Sequence, residues 1–319
     1  MTELEVRRAQ ESDLGEVLAL LRDAMHRPDD ERFNELFRWK HLNNAFGASP
    51  AWVAVDGDRI AAVRYLMRWE FERNGEVLRA VRAVDTATHP DYQGRGLFRK
   101  LTMGAIDDAM RDGVDFIFNT PNDQSRPGYL KMGWQMVGVL AVPSRPLSLP
   151  GLVKMAKARV AADHFSLPVT CAEPAAALLG DHSTIVELLK QRPGTTKLRT
   201  RLSPEVLRWR YGGELLTYRA LATSDGLAIF RFRQRGPARE LAIAVLLSPT
   251  ETGTKRLARA VVRAARGHAD YAVAIGAAPL ASFVPVPKAG PTLVWRSLND
   301  DKFPQLDDWA LTLGDIELF

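Results

Sequence analysis

The spacing of apolar residues predicts a strand and two helices at the start of the chain. The short run Leu4–Arg8 is typical of a first strand. Apolar positions then recur at helical spacing between Ser12 and Met25, where Ser12 is a suitable N-cap. The stretch Asp30–His41 repeats that spacing. The pattern therefore predicts two helices that each bury one face.

Between residues 51 and 88 the pattern changes to strands joined by tight turns. Asp56-Gly57-Asp58 separates Ala51–Val55 from Ile60–Phe71, and Asn74-Gly75 precedes Val77–Thr88. Glycine after Asp or Asn between apolar runs is typical of β-hairpins. A helix and two further strands are predicted at Leu97–Met110, Asp115–Asn119 and Trp134–Val142, with a turn or short helix before the last. The order β-α-α-β-β-β-α-β-α-β predicts an α/β (α+β) fold with a mixed, mostly antiparallel sheet flanked by helices.

The stretch 88–98 has the chemistry of a phosphate-binding turn. It joins a predicted strand to a predicted helix and contains Gly94 and Gly96. Glycines let the backbone turn tightly and approach a ligand closely. The free N–H groups and positive dipole end of the following helix favour an anion, and Arg95 and Arg99 add positive charge. The stretch therefore predicts a site for a phosphate-bearing cofactor.

Two common nucleotide motifs do not fit this stretch. The Rossmann fingerprint G-x-G-x-x-G needs a third glycine, which does not follow Gly94 and Gly96 at that spacing. The P-loop motif G-x-x-x-x-G-K-[ST] is also absent from the sequence. Another phosphate-binding loop is needed to explain the pattern.

The segment Gln93-x-x-Gly96 resembles the pyrophosphate loop of the GNAT acetyltransferase superfamily. In that family Gln/Arg-x-x-Gly-x-Gly/Ala binds the pyrophosphate of acetyl-coenzyme A. Phe98 departs from the small residue at the end of the motif.

A second segment carries the same resemblance. Residues 122–134 are similar to the family's Asn-x-x-Ala-x-x-x-Tyr-x-Lys-x-Gly-Phe pattern, with Ser125 in place of alanine and Trp134 in place of phenylalanine. The two motifs follow one another in the family's order, and the predicted element order is also the family's.

The resemblance implies a GNAT fold over residues 1–142 and acetyl-CoA as the cofactor. In the family, the pantetheine arm pairs with the fourth strand like an added strand, and a backbone N–H there polarises the thioester carbonyl. The asparagine of the second motif contacts the cofactor. The implied contacts here are Thr86, Ala87, Thr88, Gln93, Gly94, Arg95, Gly96, Leu97, Phe98, Arg99 and Asn122. By the same resemblance, the Tyr129 hydroxyl lies near the sulfur and protonates the leaving thiolate.

The sequence leaves two interpretations of the residue that would act as the general base. Asp85 interrupts an apolar run at the place where many family members have a carboxylate. A buried carboxylate would have a raised pKa, closer to that of a useful base. The alternative is a structural aspartate paired with an arginine such as Arg64 or Arg82. His41 could face the acceptor pocket or be structural, and His89 is typical of a surface turn.

Composition narrows the class of protein. The 319 residues, 46% of them hydrophobic, suffice for two domains of a soluble protein with a net charge of +5. Lys and Arg are spread along the chain and no nucleic-acid module is visible, so no nucleic-acid partner is expected. The single Cys171 excludes an intrachain disulfide framework and a cysteine-rich metal site. No signal region or membrane-length apolar run is present, which favours a cytoplasmic enzyme without a metal.

The second half faintly repeats the first. Glu35–His41 precedes a strand, turn and strand, and Glu205–Tyr211 does the same. The echo predicts two GNAT-like folds in tandem, unless it is a coincidence between Arg/Trp-rich helices. At the place of the cofactor loop, residues 248–255 lack the glycine pattern and add Glu251. The predicted domains are 1–142, a proline-punctuated linker 143–182, and a degenerate, substrate-shaping copy 183–319.

The sequence thus predicts an acetyl-CoA-dependent N-acetyltransferase that acts on a primary amine by direct attack on the thioester. The alternatives are a non-catalytic acyl-CoA-binding or sensing protein on this fold, and a cell-wall-type aminoacyl transferase. The acceptor stays open between small molecules and peptides, although acidic residues 29–35 would favour a cationic amine. A homo-oligomer also stays open. In some tandem acetyltransferases the terminal carboxylate reaches the active site, so Phe319 is a further candidate.

Overall fold

A computed structural model describes residues 4–25, 30–276, 282–285, 290–299 and 302–317. The strands are β1 Glu5–Arg8, β2 Ala51–Asp56, β3 Arg59–Arg73, β4 Glu76–Thr88, β5 Phe116–Asn119, β6 Gln135–Val139, β7 Pro143–Pro146, β8 Glu173–Pro174, β9 Arg199–Thr200, β10 Arg219–Thr223, β11 Gly226–Arg235, β12 Ala238–Leu247, β13 Tyr271–Ala274, β14 Val284–Pro285 and β15 Thr292–Ser297. The helices are α1 Leu14–Ala24, α2 Glu31–His41, α3 Leu97–Arg111, α4 Arg126–Lys131, α5 Leu149–Lys157, α6 Ala175–Leu179, α7 His182–Lys190, α8 Pro204–Tyr211, α9 Glu251–Ala264 and α10 Leu313–Ile316.

The chain forms two compact units. The first comprises Met1–Phe71, Val77–Gly138 and Pro291–Gln305, and the second comprises Glu72–Glu76, Val139–Gly290 and Leu306–Phe319. The proline-punctuated segment predicted as a linker contains β7, α5, β8 and α6. Residues 291–305, predicted to lie in the second domain, belong instead to the first compact unit.

The first unit is a mixed sheet in the order β1-β2-β3-β4-β5-β15-β6. Its chain order up to β6 is the predicted β-α-α-β-β-β-α-β-α-β, and the predicted mixed α/β fold class is confirmed. The β3–β4 turn has positive φ at both Asn74 and Gly75, as an Asn-Gly hairpin turn requires. The apolar face of α3 packs against strand residues in one buried cluster that includes Leu101, Ile106 and Val81. This packing fixes the start of α3 relative to β4.

The two parallel strands of the first unit separate after a short contact. β4 and β5 pair at Ala80–Arg82 with Phe116–Phe118, but β4 continues to Thr88. The β5-facing edge of residues 83–88 therefore has no partner from β5. An unpaired strand edge can accept an extended chain through its backbone groups.

The second unit repeats this strand order. Its sheet runs β8-β10-β11-β12-β13-β7-β14, and β12 and β13 are again parallel and joined by a helix, α9. The matching order supports the predicted duplication. In each sheet the sixth strand of this order comes from a distant part of the chain. It is β15 in the first unit and β7 in the second.

Candidate active site

The loop before α3 is shaped by two glycines in left-handed conformation. Gly94 has a φ of 75° and Gly96 a φ of 72°, values that other residues rarely adopt. A Cβ at either position would meet nothing within 4 Å, so the backbone faces open space. Gly96 is the N-cap of α3, and no side chain in the described structure caps this end. The first-turn N–H groups are therefore available to an anion.

The polar side chains of the loop surround this helix start. Gln93, Arg95 and Arg99 are exposed. Arg95 donates to the Asp91 carbonyl at 3.0 Å and lies over the Tyr92 ring. Gln93 donates to the Thr88 carbonyl at 3.4 Å. The first helical turn contains no acidic residue. The local charge thus favours phosphate.

The side chains of Leu97 and Phe98 pack into the core, so only their backbone groups are open to a ligand. Leu97 is buried, and the Phe98 ring packs edge-on against Tyr129 at 5.4 Å. A Cβ at Gly128 would lie 3.1 Å from Phe98 Cε1. Glycine at 128 therefore makes room for the large residue that stands where the family has a small one.

The pantetheine arm is predicted to lie along the edge of β4 past its last described pair with β5. Ala87 is buried, and the Thr86 hydroxyl donates to the Val63 carbonyl at 3.1 Å. These side chains are therefore held in the unit, which leaves the backbone of residues 86–88 as the available contact. Asn122 lies beyond β5, where its Oδ1 accepts from Ser125 N at 2.9 Å and orders the start of α4.

Tyr129 has a partner that the sequence analysis missed. Its hydroxyl accepts a hydrogen bond of 2.6 Å from Nη2 of Arg64. Arg64 is fully buried on β3, and its guanidinium also lies over the rings of Tyr129 and Phe98. Among the described residues, Nε and Nη1 of Arg64 have no hydrogen-bond partner. The alternation of β3 gave no signal for this contact, since an arginine within a strand is more often exposed.

Asp85 faces α2, and its environment differs from the expected one. Strict alternation would place it with Val81 and Ala83 in the core beneath α3. A φ of 36° interrupts that alternation, and the carboxylate instead contacts Lys40 Nζ at 2.5 Å and His41 Nε2 at 2.6 Å.

The expected rise in the pKa of Asp85 is therefore wrong. Burial alone would raise this pKa, but the Lys40 ammonium and the His41 hydrogen bond hold it well below its usual range. The partners are also not Arg64 or Arg82, which the alternative interpretation had named. Arg64 contacts Tyr129, and Arg82 donates to the Thr120 hydroxyl.

His41 is the second residue of this cluster. Burial lowers its pKa, and the hydrogen bond to Asp85 offsets part of that effect. Because a carboxylate only accepts, Nε2 carries the proton and Nδ1 is an acceptor. Nδ1 is buried without a hydrogen-bond partner in the described part of the chain. The cluster thus holds a neutral imidazole against an ionised carboxylate.

Asp30 was one of the acidic residues expected to favour a cationic amine. Asp30 caps α2 and pairs with Arg32, so it is engaged within its own helix. Asp29 and the terminal Phe319 lie outside the described residues. In the described ranges, no cluster of His, Cys, Asp or Glu could hold a metal ion, and no helix has the length and hydropathy needed to cross a bilayer.

Comparison with known proteins defines the class. Residues 5–137 match the acetyltransferase (GNAT) domain family. These residues are therefore a GNAT acetyltransferase domain, and acetyltransferases of this kind use acetyl-CoA as the acyl donor. No curated protein matches the chain.

Solved structures share the fold over nearly the whole chain. A GCN5-related N-acetyltransferase from Anabaena variabilis ATCC 29413 is 14% identical, with a TM-score of 0.65 over 93% of this chain and 73% of that one. One from Kribbella flavida is 15% identical, with a TM-score of 0.63 over 93% and 72%. Eis1 from Mycobacterium abscessus is 12% identical, with a TM-score of 0.58 over 93% and 74%.

The residues of the first unit fit acetyl-CoA. The uncapped start of α3 suits its pyrophosphate, and the unpaired edge of β4 suits an extended amide chain. These two features lie next to each other in the chain, since β4 ends at Thr88 and α3 begins at Leu97.

Proposed function

We propose that this protein transfers an acetyl group from acetyl-CoA to a primary amine by direct attack of the amine on the thioester. The observation that supports this most is the glycine-led start of α3, which no described side chain caps, after a strand that continues past its last described pair with β5. Acetyl-CoA supplies the activated acyl group. The chain orients it through the loop residues Gln93–Arg99, the edge Thr86–Thr88 and Asn122.

Tyr129 is the proposed acid of the reaction. It lies on α4, the element that follows β5 in the chain, and its ring packs on Phe98 of the cofactor loop. Its hydroxyl accepts from Arg64, so its own proton is free for donation to the leaving sulfur. Proton donation to a leaving group is worth about 10²–10⁴-fold in rate.

Asp85 is proposed to act through His41. A carboxylate paired with Lys40 is a weak base, whereas a neutral imidazole is suited to take the proton of the attacking amine. Asp85 then fixes the tautomer that leaves Nδ1 as the acceptor. Asp85 has a φ of 36° and lies in the part of β4 that continues past its last described pair with β5, so the pair lies close to that edge.

The proposal is tested by coupling binding to turnover. The wild type and Tyr129→Phe are compared for acetyl-CoA binding by calorimetry and for thiol release with a panel of primary amines. We expect turnover by the wild type, a fall of about 10²-fold or more in the variant, and equal affinity for acetyl-CoA. Binding without turnover on the whole panel would favour an acyl-CoA-binding protein and contradict the enzyme.

A further inference from the structure

The charged side chain of Arg64 is buried, which is energetically unfavourable. The residue is 0% exposed, and within the described residues the only hydrogen bond of its side chain goes to the Tyr129 hydroxyl. Burying a cation without a paired anion is costly, and a well-packed apolar side chain of similar volume is commonly as stable or more so. Stability alone therefore gives no reason for an arginine at this position.

The contacts of Arg64 relate it to the proposed chemistry. Nη2 reaches the Tyr129 oxygen at 2.6 Å, and the guanidinium carbon lies 5.2 Å from the Tyr129 ring centroid and 5.5 Å from that of Phe98. Phe98 belongs to the first turn of α3, where the cofactor loop ends. The cation is thus fixed between the candidate acid and the candidate cofactor loop.

We propose that Arg64 is a positioning residue that directs the proton of Tyr129 to the leaving sulfur and stabilises the phenolate that forms. The inference rests on the proposed function. As the amine nitrogen bonds to the acetyl carbon, the carbon–sulfur bond breaks and its electron pair goes to sulfur. Sulfur takes the Tyr129 proton, and the phenolate oxygen keeps its hydrogen bond from Arg64. His41 takes the proton that the amine releases, and solvent later returns a proton from His41 to Tyr129, so the reaction is balanced.

The first test measures the unliganded protein. Arg64→Met is compared with Arg82→Met, which removes a second fully buried arginine that donates to Thr120 and does not contact Tyr129. We expect Arg64→Met to leave Tm unchanged or to raise it. The changes in Tm caused by Arg64→Met and Tyr129→Phe should not add in the double variant, whereas those caused by Arg82→Met and Tyr129→Phe should add. A large fall in Tm for Arg64→Met, without coupling, would mean a structural arginine and overturn the proposal.

The second test measures ligand discrimination by calorimetry with CoA and desulfo-CoA. A hydrogen bond from Tyr129 to sulfur predicts that the wild type prefers CoA by about fivefold. Arg64→Met and Tyr129→Phe should both lose this preference. Retention of the preference in Arg64→Met, or failure of the wild type to bind CoA, would overturn the assignment.

The third test measures turnover. We expect kcat to fall about 10²-fold in Arg64→Met with little change in KM for acetyl-CoA, and Arg64→Lys to recover part of the loss. The double variant Arg64→Met/Tyr129→Phe should be no slower than Tyr129→Phe alone. Wild-type turnover that Arg64→Met leaves unchanged, or losses that multiply in the double variant, would contradict the role of Arg64. No wild-type turnover would contradict the proposed function, and the first two tests would still decide what Arg64 does.

Discussion

The starts of α3 and α9 hold equivalent places in the two units but have opposite chemistry. In both units a helix joins two parallel strands, and the strand before the helix continues past its partner. β12 pairs with β13 up to Ile243 and continues to Leu247. A bulge skips Ala244 where β12 pairs with β11, and Asp85 in the corresponding part of β4, past the last pair with β5, has a positive φ.

The helix caps are where the units differ. The N-cap of α3 is Gly96, which offers no side chain. The N-cap of α9 is Thr250, whose hydroxyl accepts from Gly253 N at 3.0 Å. Glu251 adds a negative charge in the first turn of α9, and a side chain at Gly253 would collide with Ser248. The same frame therefore leaves N–H groups open to phosphate in one unit and satisfies or shields them in the other.

This comparison shows that two parallel strands joined by a helix can be retained when the start of the helix is capped. The second unit retains the diverging strands and a cavity of about 270 Å³ at that place, lined in part by Ile243, Thr254 and Ala274. Packing maintains the strands and the helix in both units. On the proposed function, cofactor binding requires in addition a helix start that no side chain caps, and a few substitutions are enough to remove it.

The largest expected effect concerns how each sheet is completed. A fragment of residues 1–142 lacks β15, whose buried Leu293, Val294 and Trp295 fill the sheet between β5 and β6. A fragment of residues 139–319 contains every strand of the second sheet. We expect only the second fragment to unfold cooperatively in urea. A first fragment that unfolds cooperatively and binds acetyl-CoA would contradict the strand assignment.

The effect of intermediate size is a difference between the two units in how their stability depends on pH. The folded-state pKa of His41 is lower than its unfolded value of about 6.5, so its contribution is present above that pH and lost as the pH falls towards the folded pKa. The pKa values of Asp85, Glu240 and Glu317 are also lowered, so their contributions are lost only below about pH 4. Near pH 6 the first unit should therefore weaken before the second.

Urea unfolding of the wild type and His41→Gln from pH 5 to pH 8 checks this order. The difference in unfolding free energy between them should change by about 1.4 kcal/mol for each unit by which the pKa of His41 is lowered. Parallel pH dependences for the two proteins would show that His41 does not titrate in this way.

The smallest expected effect comes from the cap of α9. Thr250→Ala removes the hydrogen bond to Gly253 and should cost about 1 kcal/mol of stability. It should leave acetyl-CoA affinity unchanged, because the site is assigned to the other unit. A change in affinity, measured by calorimetry beside the loss in Tm, would mean that α9 contributes to cofactor binding.

Local patterns in the sequence were sufficient for the element order, the hairpin turns and the glycine-led helix start. Each of these depends on residues that are close in the chain. The place of β15 in the first sheet could not be predicted, because pairing between Phe118 and Trp295 depends on long-range packing. The orientation of Asp85 was missed because a single residue with a positive φ interrupts the alternation of a strand. The burial of Arg64 was missed because its space is formed by Phe98 and Tyr129 from other elements.

The stoichiometry of acetyl-CoA binding tests most directly whether the first unit alone holds the cofactor. Calorimetry on the wild type, Gly96→Glu and Gly267→Glu compares the cofactor loop with a control glycine of the second unit, which also has a positive φ and open space around its Cα. We expect one acetyl-CoA per chain in the wild type and in the control, and none in Gly96→Glu. Two molecules per chain, or binding that survives Gly96→Glu, would contradict the claim that the first unit alone holds the cofactor.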